Sequence, residues 1–198
     1  MSTPAINFSP LLQRYTLEEL WELPEREDGA HYNLIAGFLF LVPRPDPPHG
    51  DVVSWMCTLL IKFIITNNIA GDIYFPPEPI CMRAESSTYL EPDLMYVSRE
   101  SRQSTGAYRT SADIVIEVIS RETSVYDRTI KADTYLALGV RELWLVNPFG
   151  ATIEVRHASK AGEILMWRAI EYSHGQHAKS HVLEGFQVLL MNYLRRYS

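Results

Sequence analysis

The stretch "SADIVIEVISRETSVYDRTIKADTYLALGV", Ser111 to Val140, decides the fold of this chain. It opens with the apolar, β-branched run "IVIEVI", continues with a helical pattern, and leads into a second buried run, "VRELWLVNP". For the helix, Ser124 is the predicted N-cap and Gly139 lies just past the end. A strand, a helix and a strand in this order predict two adjacent parallel strands joined by a right-handed crossover.

The segments on either side predict antiparallel strands. "HYNLIAGFLFLVP" favours a hairpin that turns at Ala36-Gly37, and "DIYFPPEPICMRAESSTYLEPDLMYVS" favours several short strands broken by prolines. "ATIEVRHA" and "EILMWRAI" favour another antiparallel pair. Together these elements predict an α/β fold with a mixed β-sheet, a βαβ core, and flanking helices and antiparallel strands.

Two more helices are predicted before this block. Thr16 and Glu19 form a capping box, which predicts a short helix from about Leu17. "PRPDPPHG" is predicted to be a loop, and "DVVSWMCTLLIKFIITNNIAG" a mostly buried helix that Gly71 caps. Because no repeat or long linker divides the chain, we expect one domain over residues 1–198.

Composition limits the function without defining it. The net charge is −6 at 198 residues, so any binding to nucleic acid requires a local basic groove. Two cysteines are too few for a disulfide framework. "MSTPAINFSP" lacks the features of a secretory signal, and the apolar stretch "VVSWMCTLLIKFII" is short and carries Lys62. We therefore expect a cytoplasmic protein without a membrane span.

A carboxylate, Glu117, interrupts the first buried strand. Side chains alternate along a strand, so Glu117 shares one covered face with Val115 and Ile119. An isolated carboxylate is penalised heavily in an apolar interior, so it becomes neutral, pairs with a cation or binds a metal ion. The residues alone leave these alternatives open, and a structural ion pair with Lys131 or Arg121 is one of them.

Two other segments carry side chains that can meet Glu117. Asp93 follows Pro92 at the start of a predicted strand, and two carboxylates on neighbouring strands can hold Mg²⁺ together with water. Asp127, Lys131 and Tyr135 are four residues apart, which places them on one helical face. Since this helix packs on the sheet that carries Glu117, we expect Lys131 to reach inward.

These residues carry a family resemblance. "EPDLMYVS", "ADIVIEVISRETSVYDRTIKADTYLALGVRELWLVNP", "YTLEELWELPE" and "HVLEGFQVLL" together resemble the Uma2 or DUF820 group of the PD-(D/E)XK restriction-endonuclease-like superfamily. The resemblance implies that Asp93 and Glu117 bind Mg²⁺ or Mn²⁺ and that Lys131 is the catalytic lysine. It also implies an endonuclease that hydrolyses DNA, and a homodimer, because such enzymes often pair subunits.

The chain departs from the superfamily pattern at two positions. The usual lysine lies two residues after the acid, where this chain has Ile119, and in the Uma2 group the following helix supplies the charge instead. The group also carries a glutamate in the early segment where this chain has Asn33. An amide offers a carbonyl oxygen without charge. An alternative function is therefore a catalytically degenerate nuclease-fold domain that serves as a binding or interaction module.

Supporting roles follow for several other side chains. His49 matches the group's layout, and it either contacts substrate or caps a helix. Lys131 either reaches inward or is a solvated helix lysine that pairs with Asp127, and Tyr135 is a core residue or a member of the site. A cluster of arginines around the site predicts either a phosphate-facing patch or a solvated surface: Arg99, Arg102, Arg109, Arg121 and Arg128.

Overall fold

The structure is a computed structural model that describes residues 13–45, 47–82, 87–103, 109–190 and 194. The amino-terminal segment in which no secretory signal is expected lies mostly outside these residues, as does Asp46 of the proline-rich stretch. The helices are α1 (Leu17–Trp21), α2 (Pro47–Thr66), α3 (Arg99–Gln103), α4 (Ser124–Tyr126) and α5 (Ala132–Ala137). A π-helical turn, Asp127–Lys131, joins α4 to α5, and we call these three pieces the site helix.

Twelve strands form three sheets in the described part of the chain. In chain order they are β1 (His31–Ile35), β2 (Phe38–Val42), β3 (Gly71–Tyr74), β4 (Ile80–Met82), β5 (Thr88–Leu90), β6 (Leu94–Ser98), β7 (Ile114–Val118), β8 (Glu142–Asn147), β9 (Thr152–Ala161), β10 (Ile164–Tyr172), β11 (His177–Lys179) and β12 (Gln187–Leu189). The largest sheet has the order β10-β9-β8-β7-β6-β3, and a second has the order β2-β1-β5-β4. β11 and β12 form a separate pair.

The six-stranded sheet confirms the predicted βαβ core. β7 and β8 are parallel, with Glu117 opposite Leu145, and the site helix connects them. Every other pair in this sheet is antiparallel, including the predicted pair β9–β10. The sheet is therefore mixed, and the fold is α/β as expected.

The two faces of β7 pack against different helices. Ile114, Ile116 and Val118 lie in the hydrophobic cluster that contains residues of α2. Val115 and Ile119 lie in the opposite cluster, together with Ala132 and Tyr135 of the site helix. This alternation confirms the predicted period of two and places Glu117 under the site helix.

Two predicted local motifs are confirmed near the amino terminus. Thr16 and Glu19 form the reciprocal capping box of α1, with hydrogen bonds of 2.8 and 3.1 Å. The β1–β2 hairpin turns at Ala36 and Gly37, whose φ angles are 50° and 84°. Two consecutive positive φ angles match the right-handed twist of the two strands, and glycine adopts such an angle without steric cost.

The predicted boundaries of α2 were wrong at both ends. The helix begins at Pro47, inside the predicted loop, because proline is tolerated in a first helical turn where its missing N–H would have no intrahelical acceptor. It ends at Thr66, and Asn68 adopts the left-handed conformation with φ 52°. Gly71 lies in β3 instead, where a Cβ would come within 2.5 Å of the Tyr96 ring.

The N-cap of the site helix also differs from the prediction. Thr123 is the N-cap residue and Ser124 is already helical. The Thr123 hydroxyl donates a hydrogen bond to the Asp127 carboxylate at 2.6 Å, so it does not cap the backbone. At the other end, Gly139 has a φ of 84° and ends the helix as predicted.

Helix α2 combines a buried face with an apolar exposed face. Val52, Met56, Leu60 and Ile64 are buried against the sheet at a spacing of four residues. At 20 residues, α2 is also long and apolar enough to cross a membrane by length and composition alone, whereas the sequence expectation was of a shorter stretch. The same segment supplies core residues of this domain.

The carboxylate of Asp113, directly before β7, bonds two neighbouring segments of the chain. It is buried and accepts hydrogen bonds from the Ser98 amide at 2.7 Å and from Arg141 at 2.8 Å. Burial raises the pKa of Asp113, but the hydrogen bonds from Ser98, Ser101 and Arg141 outweigh burial and lower the pKa below its ordinary value. The ionised form is therefore the one that the fold stabilises.

We expect Asp113→Asn to lower the free energy of unfolding by about 1–3 kcal/mol at pH 7, since an amide cannot replace the charged acceptor. Because the folded-state pKa is lowered, this contribution is present above the unfolded-state pKa and is lost as the pH falls through the folded-state value. Urea unfolding at pH 7 and at low pH measures the difference. The exposed Asp133→Asn is the control, and an equal cost of Asp113→Asn at both pH values would contradict the argument.

Candidate active site

A polar cleft of about 50 Å³ lies where the start of β6, the end of β7, α2 and the site helix meet. This volume is enough for a few water molecules or a partly hydrated ion. The polar residues that line the cleft come from four segments far apart in the sequence: His31, His49, Glu91 with Asp93, and Glu117, Ser120, Thr123, Asp127 and Lys131. Each of the three predicted catalytic residues is among them.

Asp93 lies directly before β6, as predicted from Pro92-Asp93. Its Oδ2 atom lies 2.9 Å from Nε2 of His49 and accepts a hydrogen bond from the Val118 amide at 2.7 Å. Burial raises the pKa of Asp93, but the hydrogen bond and charge of His49, together with Lys131, lower it overall. Asp93 is therefore held as a carboxylate beside the end of β7.

Glu117 is the buried centre of the site. Its Oε2 atom lies 2.8 Å from Nζ of Lys131, and its Oε1 atom accepts a hydrogen bond of 2.6 Å from the Tyr135 hydroxyl. Burial raises the pKa of Glu117 above its ordinary value, Lys131 partly offsets this, and the nearby Asp93 and Asp127 carboxylates raise the pKa further. Because the raised pKa means that the negative charge of Glu117 is disfavoured where it lies, the surroundings of Glu117 favour an additional positive charge beside it.

The site helix brings its three predicted residues to one place. Lys131 contacts Glu117, and its Nζ lies 3.9 Å from Oδ1 of Asp127, while Tyr135 reaches the other oxygen of Glu117. Burial lowers the pKa of Lys131, but the carboxylates of Glu117, Asp127 and Asp93 outweigh burial and raise the pKa. Lys131 is therefore a cation. Asp127 and Tyr135 both contact the other residues of the site. The alternative of a solvated Lys131 was wrong, because Lys131 is buried and contacts Glu117.

His49 has a role that the sequence did not indicate. It lies in the first turn of α2, not in a loop, and its ring pairs with Asp93. Burial lowers the pKa of His49, but Asp93, and to a smaller extent Glu117, outweigh burial and raise it. The ring therefore positions one carboxylate of the site and also lines the cleft.

Asn33 lies behind the cleft, fully buried on β1. Its Nδ2 donates a hydrogen bond to the Tyr126 hydroxyl at 3.1 Å, and the Tyr126 ring stacks on Phe40. The Oδ1 atom has no hydrogen-bond partner in the described part of the chain. His31, two residues earlier on the same face of β1, lines the cleft itself. Asn33 therefore belongs to the layer that supports the site.

Sequence reasoning missed four polar residues of the cleft: His31, Glu91, Ser120 and Thr123. For Glu91 a signal existed, because Glu91 and Asp93 are two apart in an extended segment and so share a face. Tyr89 donates a hydrogen bond of 2.7 Å to Glu91 and orients it. Nothing in the local sequence distinguished His31, because the approach of β1 to the site depends on how the second sheet packs.

The predicted patch of arginines is not part of the cleft. Arg102 pairs with Asp72, and Arg128 pairs with Glu154. Arg109 pairs with Glu78 and lies over the Tyr74 ring, and Arg121 lies over Phe149. None of the five predicted arginines lines the polar cleft. Among the described residues that line the cleft, Lys131 is the only lysine or arginine.

The donor atoms of the cleft suit a hard divalent cation. Asp93 and Glu117 present carboxylate oxygens to one small volume, and Asp127 adds a third negative charge next to Lys131. Magnesium is bound in proteins by one or two carboxylates and retains several water molecules. Among the described residues, no group of three or more His, Cys, Asp or Glu side chains is arranged to hold a metal ion. A cation in this cleft would therefore have Asp93 and Glu117 as its protein ligands and water for the rest.

A mixed sheet with a βαβ core, two carboxylates at neighbouring strands and a lysine on the covering helix agrees with the restriction-endonuclease-like fold that the resemblance implied. Residues 17–192 match the model of the Uma2 family, which is described as "Putative restriction endonuclease", and the chain belongs to this family. The expected family and fold are therefore confirmed.

A solved structure has the same fold. It is a protein from Anabaena variabilis ATCC 29413, described as "a putative nuclease belonging to DUF820" at 1.96 Å resolution, with a TM-score of 0.69 and 16% sequence identity. The match covers 90% of this chain and 98% of the other. No curated protein matches this chain.

We expect Lys131→Met to lower the free energy of unfolding by about 3 kcal/mol or more, because it removes the lysine that contacts the buried carboxylates of Glu117 and Asp127. Chemical denaturation at neutral pH measures the loss. Lys62→Met on the exposed side of α2 is the matched control, for which we expect a change within about 0.5 kcal/mol. Equal unfolding free energies for the two variants would show that Lys131 and Glu117 do not interact as the structure indicates.

Proposed function

We propose that this chain is a metal-dependent endonuclease that hydrolyses phosphodiester bonds of DNA. The observation that carries the proposal is the convergence of Asp93, Glu117 and Lys131 on one cleft in a protein of the Uma2 family. Two acidic oxygen ligands beside a fixed cation suit the hydrolysis of an anionic ester. DNA is the substrate that the family description, restriction endonuclease, supports.

We assign Asp93 and Glu117 as the protein ligands of Mg²⁺, for which Mn²⁺ substitutes. When bound, the cation would lower the pKa of a water molecule and neutralise charge on the phosphate. The side chains around the ligands hold them in place. His49 and the Val118 amide fix Asp93, and the Tyr135 hydroxyl fixes Glu117. This outer layer of hydrogen bonds keeps the ligand oxygens oriented without rearrangement.

Lys131 has the electrostatic role in the reaction. In hydrolysis the water oxygen adds to phosphorus, the bond to the leaving sugar oxygen breaks, and the leaving oxygen takes up a proton. Negative charge increases on the non-bridging oxygens in between, and an ammonium group at the cleft stabilises that charge. Lys131 is buried and held between two carboxylates, so its position is fixed before substrate arrives.

One alternative is a nuclease-fold domain that binds a partner without catalysis. The observation in its favour is that Asn33 stands where the family usually has a glutamate, so the site has one negative charge fewer. The Lys131–Glu117 contact would then be a structural ion pair. Metal binding and cleavage distinguish the two functions.

We expect the wild-type chain to bind Mn²⁺ and to nick supercoiled DNA in the presence of Mg²⁺. Asp93→Asn and Glu117→Gln remove a ligand charge with little change of volume, so both should abolish Mn²⁺ binding. Lys131→Met should retain binding and lose cleavage by a factor of about 100 or more. Isothermal titration calorimetry measures binding, with and without a DNA oligonucleotide, and gel electrophoresis measures nicking.

Two further variants sharpen this experiment. Asp133→Asn removes an exposed carboxylate of the site helix outside the cleft and should leave binding and cleavage unchanged. Asn33→Asp replaces the Nδ2 atom that donates to Tyr126 by an oxygen and adds a negative charge behind the cleft, so it should strengthen Mn²⁺ binding. Wild-type chain that neither binds Mn²⁺ nor nicks DNA, with DNA present, would contradict the nuclease function and favour the binding domain.

We also propose that two copies of the chain pair as a homodimer along β10. This strand is an edge of the six-stranded sheet, and edge strands present unpaired N–H and C=O groups to a partner. Its exposed apolar side chains include Ile164, Met166 and Ile170. Sedimentation should show a dimer for the wild type and a monomer for Met166→Lys. Monomer for both proteins at micromolar concentration would overturn this proposal.

A further inference from the structure

We propose that an apolar cleft next to the polar site binds an unpaired nucleobase of the substrate strand. We call it the Phe75 cleft. The inference rests on the proposed function, since it identifies the form of nucleic acid that the site accepts. It assigns to Phe75 and to one face of α2 a role in substrate selection that the catalytic residues do not have.

The Phe75 cleft is larger and less polar than the catalytic cleft. Its volume is about 440 Å³, within the range of about 300–1,000 Å³ that is typical of small-ligand sites. One wall is the first half of α2, including Gly50, Val53 and Cys57, and the other is Phe75 with Pro76. Phe75 directly follows β3 and is 61% exposed, which is unusual for so large an apolar side chain.

The two clefts share a wall. His49 and Asp93 line both of them, and Nε2 of His49 lies 2.9 Å from Oδ2 of Asp93. A molecule bound at Asp93 on the polar side is therefore next to the opening of the Phe75 cleft. This continuity identifies the occupant as another part of the substrate that the polar site binds.

A nucleotide is the kind of ligand that requires both environments. Its phosphate is charged and needs the cation, Lys131 and the carboxylate ligands, whereas its base has two apolar faces. A base stacks on an exposed aromatic ring with little dependence on sequence. Ser54 and Thr58 at the cleft wall carry hydroxyl groups that can hydrogen-bond the polar edge of a base without adding charge.

The base in the Phe75 cleft must be unpaired. Within a duplex, both faces of a base are covered by its neighbours, so an enzyme reaches a face only when the base is single-stranded or turned out of the stack. An enzyme that holds such a base beside the cleaved phosphate would favour DNA with a single-stranded segment, a bulge or a mismatch. Fully paired DNA would have to be distorted first.

Two substitutions change the cleft in opposite ways and leave the catalytic residues in place. Phe75→Leu removes the ring but keeps an apolar side chain. Gly50→Leu fills the cleft, and a Cβ at Gly50 would meet nothing within 4 Å, so the new side chain has room. Leucine also has a better helix propensity than glycine. Phe38→Leu, at another exposed phenylalanine on β2, is the matched control.

The experiment measures binding of two labelled duplex oligonucleotides by fluorescence anisotropy, with Ca²⁺ and without divalent cation. One duplex is fully paired, and the other contains a single unpaired 2-aminopurine, whose emission reports stacking. We expect the wild type to bind the second probe at least tenfold more tightly. Phe75→Leu and Gly50→Leu should each weaken that binding by about tenfold, and Phe38→Leu should not.

The possible outcomes separate this inference from the proposed function. If the wild type binds or cleaves both duplexes equally and the two cleft variants behave like the wild type, the nuclease function stands and the Phe75 cleft does not bind a base. If the wild type binds neither duplex and no Mn²⁺, both proposals are overturned. If the cleft variants alter only the sedimentation of the protein, the cleft is a contact between copies and the inference is wrong.

Discussion

The structure depends on the buried contact between Lys131 and Glu117, which joins the central strand of the sheet to the helix that covers it. Burial of two ions costs more free energy than their attraction returns unless further hydrogen bonds complete the pair. Tyr135 and Asp127 supply those contacts. Apolar residues of similar size would often stabilise a fold equally well. The presence of Lys131 and Glu117 in the core is therefore better explained by the proposed role of this pair in the site than by its contribution to stability.

The π-helical turn explains why three residues at a spacing of four all reach this contact. In an α-helix each four-residue step passes a full turn by about 40°, so two steps would move Tyr135 by about 80° from the direction of Asp127. The turn from Asp127 to Lys131 is wider, so its four-residue step falls short of a full turn and opposes the rotation of the next step. The π-helical turn therefore helps Asp127, Lys131 and Tyr135 to face Glu117 together.

The sequence predicted the elements of this fold better than their ends. The period of β7 and the βαβ order follow from local side-chain patterns, and Asp93, Glu117 and Lys131 lie on those elements. The start of α2 at Pro47 did not follow, because a proline-rich segment is compatible with both a loop and a first helical turn. The pairing of His49 with Asp93 depends on that start. The approach of His31 depends on packing between sheets, which no local pattern encodes.

The charge distribution constrains how such a protein can hold DNA. The chain has a net charge of −6, and four of the five arginines near the site in sequence are bound to carboxylates or aromatic rings outside the catalytic cleft. Under the proposed function, these four arginines do not neutralise phosphates at the catalytic cleft, so counterion release from them adds little affinity there. The proposed cation on Asp93 and Glu117 and the proposed apolar contact beside it would then supply the binding. The polar cleft and the Phe75 cleft lie side by side, since both are lined by His49 and Asp93.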